Sequence, residues 1–191
     1  MRSSDIIACL ECNPVIAAIQ NDKWESALES PVDMIFYLSA DLLTVKDRVA
    51  QAHEAGKYIL VHMDLAEGLG KDKPGLVYVK KMGVDGVIST RVNIIKAARE
   101  AGLFTVQRFF IVDSHSVNTT LEAIKSSHPD MIEIMPGIVT KVIADLKASL
   151  NIPIIAGGLI ETRKEIEEAV HSGASGISTS RAELWGRKEK S

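Results

Sequence analysis

Two short segments near the C-terminus carry residue types that bind anions. Ile152–Leu159 reads Ile-Pro-Ile-Ile-Ala-Gly-Gly-Leu, and Gly173–Ser180 reads Gly-Ala-Ser-Gly-Ile-Ser-Thr-Ser. Each has the pattern of a buried strand that ends in small or hydroxyl residues and runs into a helix. Glycine lets a backbone approach an anion closely. The N–H groups and dipole at a helix N-terminus then hold it. In βα-barrels the loops after the last two strands commonly form such a cup. Gly157, Gly158, Ser178, Thr179 and Ser180 are the phosphate ligands this pattern predicts, and a phosphorylated small molecule is the expected ligand.

A second set of residues offers carboxylates and an imidazole. In Tyr58–Leu65, the apolar Ile59, Val61 and Met63 suit a helix-facing side, which turns His62 and Asp64 inward. Ile132 and Ile134 do the same for Glu133. Ile6, Ala8 and Leu10 predict an outward face of a first strand, with Glu11 facing in at its end. Gln107 is opposite in parity to Phe104 and Val106 and is placed in the pocket, with Arg108 beside it or on the rim. These groups suit the hydroxyls of a small polyol, general acid–base catalysis or a hard cation such as Mg²⁺. They suit equally a polar cap on a barrel core, each charge paired with Arg108 or a lysine. Glu67–Gly75 follows this strand and reads either as a solvated loop or as a lid hinged at Gly68 and Gly70. In a lid, Lys71 or Lys73 would approach an anion. Asp113-Ser114-His115-Ser116 holds the residue types of a catalytic triad, but adjacent residues cannot take triad geometry. They read as helix-capping residues.

The elements that must position these groups alternate. Strand-like runs begin near Ile6, Val32, Tyr58, Val84, Leu103, Asp130, Ile152 and Ser175. Helical patterns fill the gaps at 14–20, 44–55, 76–82, 92–101, 117–127, 138–150 and 163–171, with a last short one at 182–187. Alternation implies a parallel sheet, and eight repeats imply a closed barrel. The fold expected is a compact, single-domain TIM-type (β/α)8 barrel over residues 1–191, with some helices shortened; an open doubly wound sheet is its rival. A faint repeat runs through it. Leu65–Leu69 resembles Ile155–Leu159, and Gly83–Val87 resembles Gly173–Ile177, both at a spacing of 90 residues (65 to 155, 83 to 173). Arg91 and Arg181 share that spacing. The repeat sets Glu67 against Gly157, so a carboxylate would bar a second phosphate site. Shared turn residues alone also produce such a match.

Composition bounds the rest. The 191 residues are 46% hydrophobic and 25% charged, with net charge −3, ordinary for a globular protein and no global nucleic-acid signature. Basic residues cluster locally at Lys71/Lys73, Lys80/Lys81 and Arg187/Lys188/Lys190. No apolar run is long enough for a bilayer, and no signal peptide is expected. Cys9 and Cys12 form a lone Cys-x-x-Cys, too few ligands for a zinc site, and read as small buried hydrophobes. No metal and no cofactor is expected, and a reducing cytoplasm is the expected compartment.

Set together, these segments resemble a known family. His62-Met63-Asp64-Leu65-Ala66-Glu67-Gly68-Leu69 resembles its His-x-Asp-Leu-x-Glu-Gly motif. Asp85–Arg91, Gln107-Arg108, Glu133–Gly137, Ile155–Ile160 and Ser178–Ser180 with Leu184-Trp185 follow in order. The chain is similar over nearly its whole length to the glycerol-3-phosphate-responsive antiterminators of bacterial glycerol uptake operons. The resemblance implies a barrel-like fold, binding of glycerol 3-phosphate, and binding of leader mRNA that prevents early transcription termination. Ala40, in place of a glycine, and Thr140, in place of a proline, depart from the family pattern. The residues themselves agree on the ligand class, since a three-carbon polyol phosphate needs one anion cup and a few hydroxyl partners. RNA binding comes from the resemblance alone, because aromatic residues for base stacking are few. The competing expectation is a barrel enzyme acting on a glycerol or triose phosphate, since this fold hosts many chemistries.

Overall fold

The structure, a computed structural model, describes residues 3–186. The basic cluster Arg187/Lys188/Lys190 lies outside them. Eight parallel strands close in sequence order: β1 Val15–Ile19, β2 Met34–Tyr37, β3 Tyr58–His62, β4 Gly86–Ser89, β5 Phe104–Phe110, β6 Met131–Met135, β7 Ile154–Gly157 and β8 Gly176–Thr179. Helices follow them as α2 Trp24–Glu29, α3 Val45–Glu54, α4 Lys73–Lys81, α5 Val92–Glu100, α6 Ser114–Ser127, α7 Thr140–Ser149 and α8 Arg163–His171. A helix α1, Ser3–Cys12, precedes the barrel. Within the predicted last helix, Ala182–Leu184 form a single 3-10 turn, and its end lies outside the described residues. Most barrel helices run to ten residues or fewer, as the chain length requires; α6 has 14.

The first strand begins later than the sequence pattern suggests. Ile6, Ala8 and Leu10 look like one strand face, yet Ile6 and Leu10 are buried and Ala8 is exposed. The working period is four, as on a helix. Ile6 and Leu10 pack with Ile16, Met34, Leu60, Phe104 and Ile155 inside the barrel, at the end where the strands begin. Two such buried side chains contribute ~1.5–3 kcal/mol each. Gly176 leaves the room they use: a Cβ there would stand 3.1 Å from Leu10 Cδ1. The run predicted as helical at 14–20 is instead β1. Val15, Ala17 and Ile19 face the helices, while Ile16 and Ala18 face the barrel interior. Both faces are apolar, so no amphipathic signal separates strand from helix in so short a run.

Asp113 caps α6 as predicted. Its carboxylate accepts the Ser116 N–H at 2.8 Å, and the Ser116 hydroxyl accepts the Asp113 N–H at 3.2 Å. Cys9 and Cys12 are free thiols on α1. Cys9 is half-buried, and burial pushes its thiol up to about 12, which suits a packed residue and not a nucleophile. Cys12 is exposed.

Candidate functional site

The ends of β7 and β8 form one wall of a cavity of about 300 Å³, lined by Gly158, Ser178, Thr179, Ser180, Arg108 and Glu133. The local backbone requires its glycines. Gly158 has φ +74°, in the left-handed region, and Leu159 follows at +59°. The Gly137 N–H donates to the Gly158 carbonyl at 2.9 Å, and a Cβ on Gly137 would stand 2.8 Å from the Gly157 nitrogen. Gly157 is pressed against Glu133 Oε1 and Ser178 Oγ, so any side chain there would displace the pair.

Beneath this wall lies a buried ion pair. Arg108 Nε reaches Glu133 Oε2 at 2.6 Å, and the Ser178 hydroxyl donates to Glu133 Oε1 at 2.5 Å. Glu133 has no exposed surface. The register explains the meeting, since Arg108 pairs with Glu133 across β5 and β6 and Gly157 pairs with Ser178 across β7 and β8. Ile132 and Ile134 face the helices, leaving Glu133 inside.

His62 and Asp64, at the end of β3 and in the turn after it, stand across the barrel from β7 and do not line that cavity. His62 is buried, and its Nδ1 has no hydrogen-bond partner among the described residues. Burial first, then the Arg108 charge, hold its imidazole below the ordinary 6.5, against weaker opposite pulls from Asp64 and Glu133. Asp64 accepts from Ser89 Oγ at 2.8 Å, Thr90 N at 2.7 Å and Thr90 Oγ1 at 2.9 Å, with Arg91 Nε at 3.7 Å. Burial raises this carboxyl, but those hydrogen bonds together outweigh it and hold it below 3.8. For His62, the folded state resists a proton that the unfolded chain accepts. Its contribution to stability is therefore complete above about pH 6.5 and falls as pH drops from there toward the folded value. We expect the melting temperature to decline between about pH 7.5 and pH 5.5, and His62→Gln to flatten part of that decline. A variant as pH-sensitive as the parent would overturn the assignment.

Several predicted residues lie elsewhere. Glu11 is on α1, at the opposite end of the barrel from the cavity, and is exposed. Gln107 faces outward, where its Oε1 accepts from the Ser127 hydroxyl of α6. Phe104 and Val106 face the barrel interior, so Arg108, two residues on, is the inward polar group of β5. Alternation puts Phe104 and Val106 on one face of β5 and Thr105 and Gln107 on the other, and does not say which faces in. Lys73 is the first residue of α4, and its ammonium meets Glu100 of α5 at 3.1 Å instead of the mouth. Lys71 stays at the mouth, donating to the Asp64 carbonyl at 2.7 Å. The start of the predicted lid is stitched down: Glu67 N–H donates to Ala40 O at 2.9 Å, and Leu42 N–H to Glu67 O at 3.0 Å. Gly68, at φ +68°, has Leu42 Cβ 3.0 Å from where its own Cβ would be.

The internal repeat is real in part. Gly86–Ser89 and Gly176–Thr179 are β4 and β8, and the Arg91 and Arg181 N–H groups donate to Ser89 Oγ and Thr179 Oγ1 at 3.0 and 3.2 Å. The 90-residue spacing fails one strand earlier. Ile88 pairs with His62, whereas its counterpart Ser178 pairs with Gly157. His62, not Glu67, therefore stands where Gly157 stands in the other half. Two mouth residues escape the sequence reading. Lys23, in the 3-10 turn after β1, donates to the Ser180 carbonyl at 2.6 Å. It is invisible when β1 is taken for a helix. Arg181 pairs with Glu161 at 2.6 Å, and its place in the repeat is the signal that marks it. Among the described residues, no group of three or more His, Cys, Asp or Glu side chains could hold a metal ion. None of their helices is long and apolar enough to cross a membrane.

Comparison with known proteins adds a family to this geometry. The family model described as glycerol-3-phosphate responsive antiterminator matches residues 15–185. The uncharacterized protein YgcP of Escherichia coli (strain K12) is 35% identical over 182 residues, covering 94% of this chain and 95% of that protein. The crystal structure of a glycerol uptake operon antiterminator regulatory protein from Listeria monocytogenes superposes with TM-score 0.85 at 35% identity, covering 91% of this chain and 95% of that one. An antiterminator-related protein from Thermotoga maritima gives TM-score 0.80 at 34% identity, covering 90% and 96%.

Proposed function

This chain belongs to the glycerol-3-phosphate responsive antiterminator family, and we propose that it binds glycerol 3-phosphate in the barrel mouth and, in response, leader mRNA of a glycerol operon in the cytoplasm. The observation that carries the ligand half is the cavity at the ends of β7 and β8. One wall is Gly158 and Ser178–Ser180, suited to a phosphate, and its floor is the Arg108–Glu133 pair, suited to hydroxyls. Lys23 and Arg181 stand at its edge and reinforce the attraction for an anion. His62 and Asp64, across the barrel at the end of β3, offer further polar groups for the polyol end. Glu67, Gly68 and Lys71 belong to the rim, held in place by hydrogen bonds to the backbone of Ala40, Leu42 and Asp64, and Lys73 does not.

The protein acts as a regulator and not as a catalyst. Glu133 and Asp64, the carboxylates an enzyme would use, are each held by fixed donors. A barrel enzyme acting on a glycerol or triose phosphate is favoured by one feature: the buried, partnerless Nδ1 of His62 in a site of this kind. Calorimetric titration with glycerol 3-phosphate tests the ligand half. We expect one bound ligand per chain, because a buried His62 stands in β3 where a glycine stands in β7 and leaves no matching cup. Two equal sites would overturn that argument, and no binding would overturn the ligand. Gel shift of the leader transcript with and without glycerol 3-phosphate tests the RNA half. Turnover of a glycerol or triose phosphate without RNA binding would install the enzyme reading in its place.

A further inference from the structure

The charge of this chain is unevenly distributed. Residues 73–128 hold eight Lys and Arg against four Asp and Glu, whereas the whole chain carries 22 against 25. Of those eight, Arg108 is committed to the barrel interior and Arg91 to the mouth beside Asp64. The remainder come from α4, α5 and α6, three consecutive helices on one side of the barrel. Lys80 and Lys81 end α4, Lys96 and Arg99 lie on the last two turns of α5, and Lys125 lies on the last turn of α6; all are exposed.

Two adjoining depressions connect them. One, of about 580 Å³, has Lys80 and Arg99 on its edge; the other, of about 360 Å³, is lined by Lys96, Arg99 and His128. Arg99 belongs to both. Of the carboxylates nearby, Asp85 and Asp130 are turned inward, whereas Glu100 and Glu122 are exposed. Asp85 accepts the Ile59 N–H at 2.8 Å and meets His53 Nε2 at 3.0 Å. Asp130 accepts the Thr105 N–H at 2.9 Å and the Thr105 hydroxyl at 2.7 Å. Glu100 is taken by Lys73. What faces solvent along these helix ends is therefore mostly positive.

Helix C-termini attract cations, and that accounts for part of the set. Lys80 donates to the Ala101 carbonyl at 2.6 Å, and Arg99 to the Ser127 carbonyl at 3.3 Å. It covers Lys81 and Lys125 as well, which lie on last turns, but not Lys96; none of the three makes an ion pair or hydrogen bond among the described residues. Tyr78 adds an exposed aromatic ring one helical turn before Lys81. Cations along a surface, with a ring beside them, are what a folded or looped RNA backbone recognises. The mouth, by contrast, mixes Asp41, Asp64, Glu67, Asp72, Glu161 and Glu183 with its cations.

We propose that the leader RNA docks on the strip formed by Lys80, Lys81, Lys96, Arg99 and Lys125 at the C-terminal ends of α4, α5 and α6, away from the ligand mouth. This rests on the RNA half of the function above. RNA and ligand then meet opposite ends of the barrel, so they act through the barrel and not through a shared loop.

The test uses the labelled leader transcript of the host's glycerol uptake operon with the full chain. The triple variant Lys81→Gln, Lys96→Gln, Lys125→Gln spares the helix-capping cations. It should bind this RNA at least about tenfold more weakly, and the slope of log affinity against log salt should fall by about two to three. Its calorimetric affinity for glycerol 3-phosphate should match the parent's, which shows that it folds. The corresponding Lys→Arg triple should restore RNA binding. If the parent binds the transcript and the Gln triple binds it with equal affinity and salt slope, the strip is not the interface and only this inference falls. If the parent itself does not bind, the RNA half of the function falls and the inference with it.

Discussion

Gly158→Asp should reduce the calorimetric affinity for glycerol 3-phosphate by at least about a hundredfold, in a protein that still folds. Three effects act together at this position. The backbone is left-handed at φ +74°, which costs a side-chain residue of order 1 kcal/mol or more. A Cβ there would stand 2.6 Å from the flexible end of Met135, so that side chain must move. The new carboxylate would then face the anion across the cup. Two like charges about 4 Å apart repel by about 4 kcal/mol at an effective dielectric constant near 20. A loss of about 2.7 kcal/mol is already a hundredfold. Gly158→Ala carries the strain without the charge and should retain most of the affinity that Asp removes. If the two variants bind equally well, or if Asp binds as the parent does, the phosphate does not sit at Gly158.

The sequence makes seven of the eight strands readable to within two residues, because each is a run of apolar residues between turn signals. The exception has a physical cause. Ile6 and Leu10 satisfy a period of two and a period of four alike, and Ala8 between them is too small to reveal its exposure by type. Lys23 is lost with β1 for that reason. Inward orientation is legible where one face of a strand is plainly apolar, as with Ile59, Val61 and Met63 around His62. On β5 both Phe104 and Val106 are as apolar as a helix-facing side, yet they fill the interior. There the deciding fact is a partner on the neighbouring strand: Arg108 must face in because Glu133 does. The repeat shows the same limit. Matching letters locate β4 and β8, but only the strand register shows that His62, and not Glu67, is the counterpart of Gly157.

That Arg108–Glu133 pair carries the second large expected effect. Arg108→Ala leaves a carboxylate with no exposed surface and only the Ser178 hydroxyl as a donor. Removing one partner of a buried ion pair costs about 3–5 kcal/mol, because the remaining charge stays desolvated. In a chain of this size each kcal/mol is about 2–4 °C, so the melting temperature should fall by roughly 6–20 °C. Removing all the polar atoms at once should be far milder. Arg108→Met, Glu133→Leu and Ser178→Ala together leave no buried charge and no orphaned hydroxyl, and such replacements are often neutral or stabilising. The triple variant should therefore melt near the parent and well above Arg108→Ala. If the pair existed for the fold alone, the triple variant would also bind glycerol 3-phosphate as the parent does. We expect instead that its binding is lost while its fold is kept, because an apolar floor offers nothing to the ligand's hydroxyls and a site built to hydrogen-bond them discriminates steeply when those groups are gone. Thermal melting and calorimetry on the same three proteins decide the matter. A stable triple variant that binds with parental affinity would assign the ion pair to the barrel core, and would leave the polyol end of the ligand to His62 and Asp64.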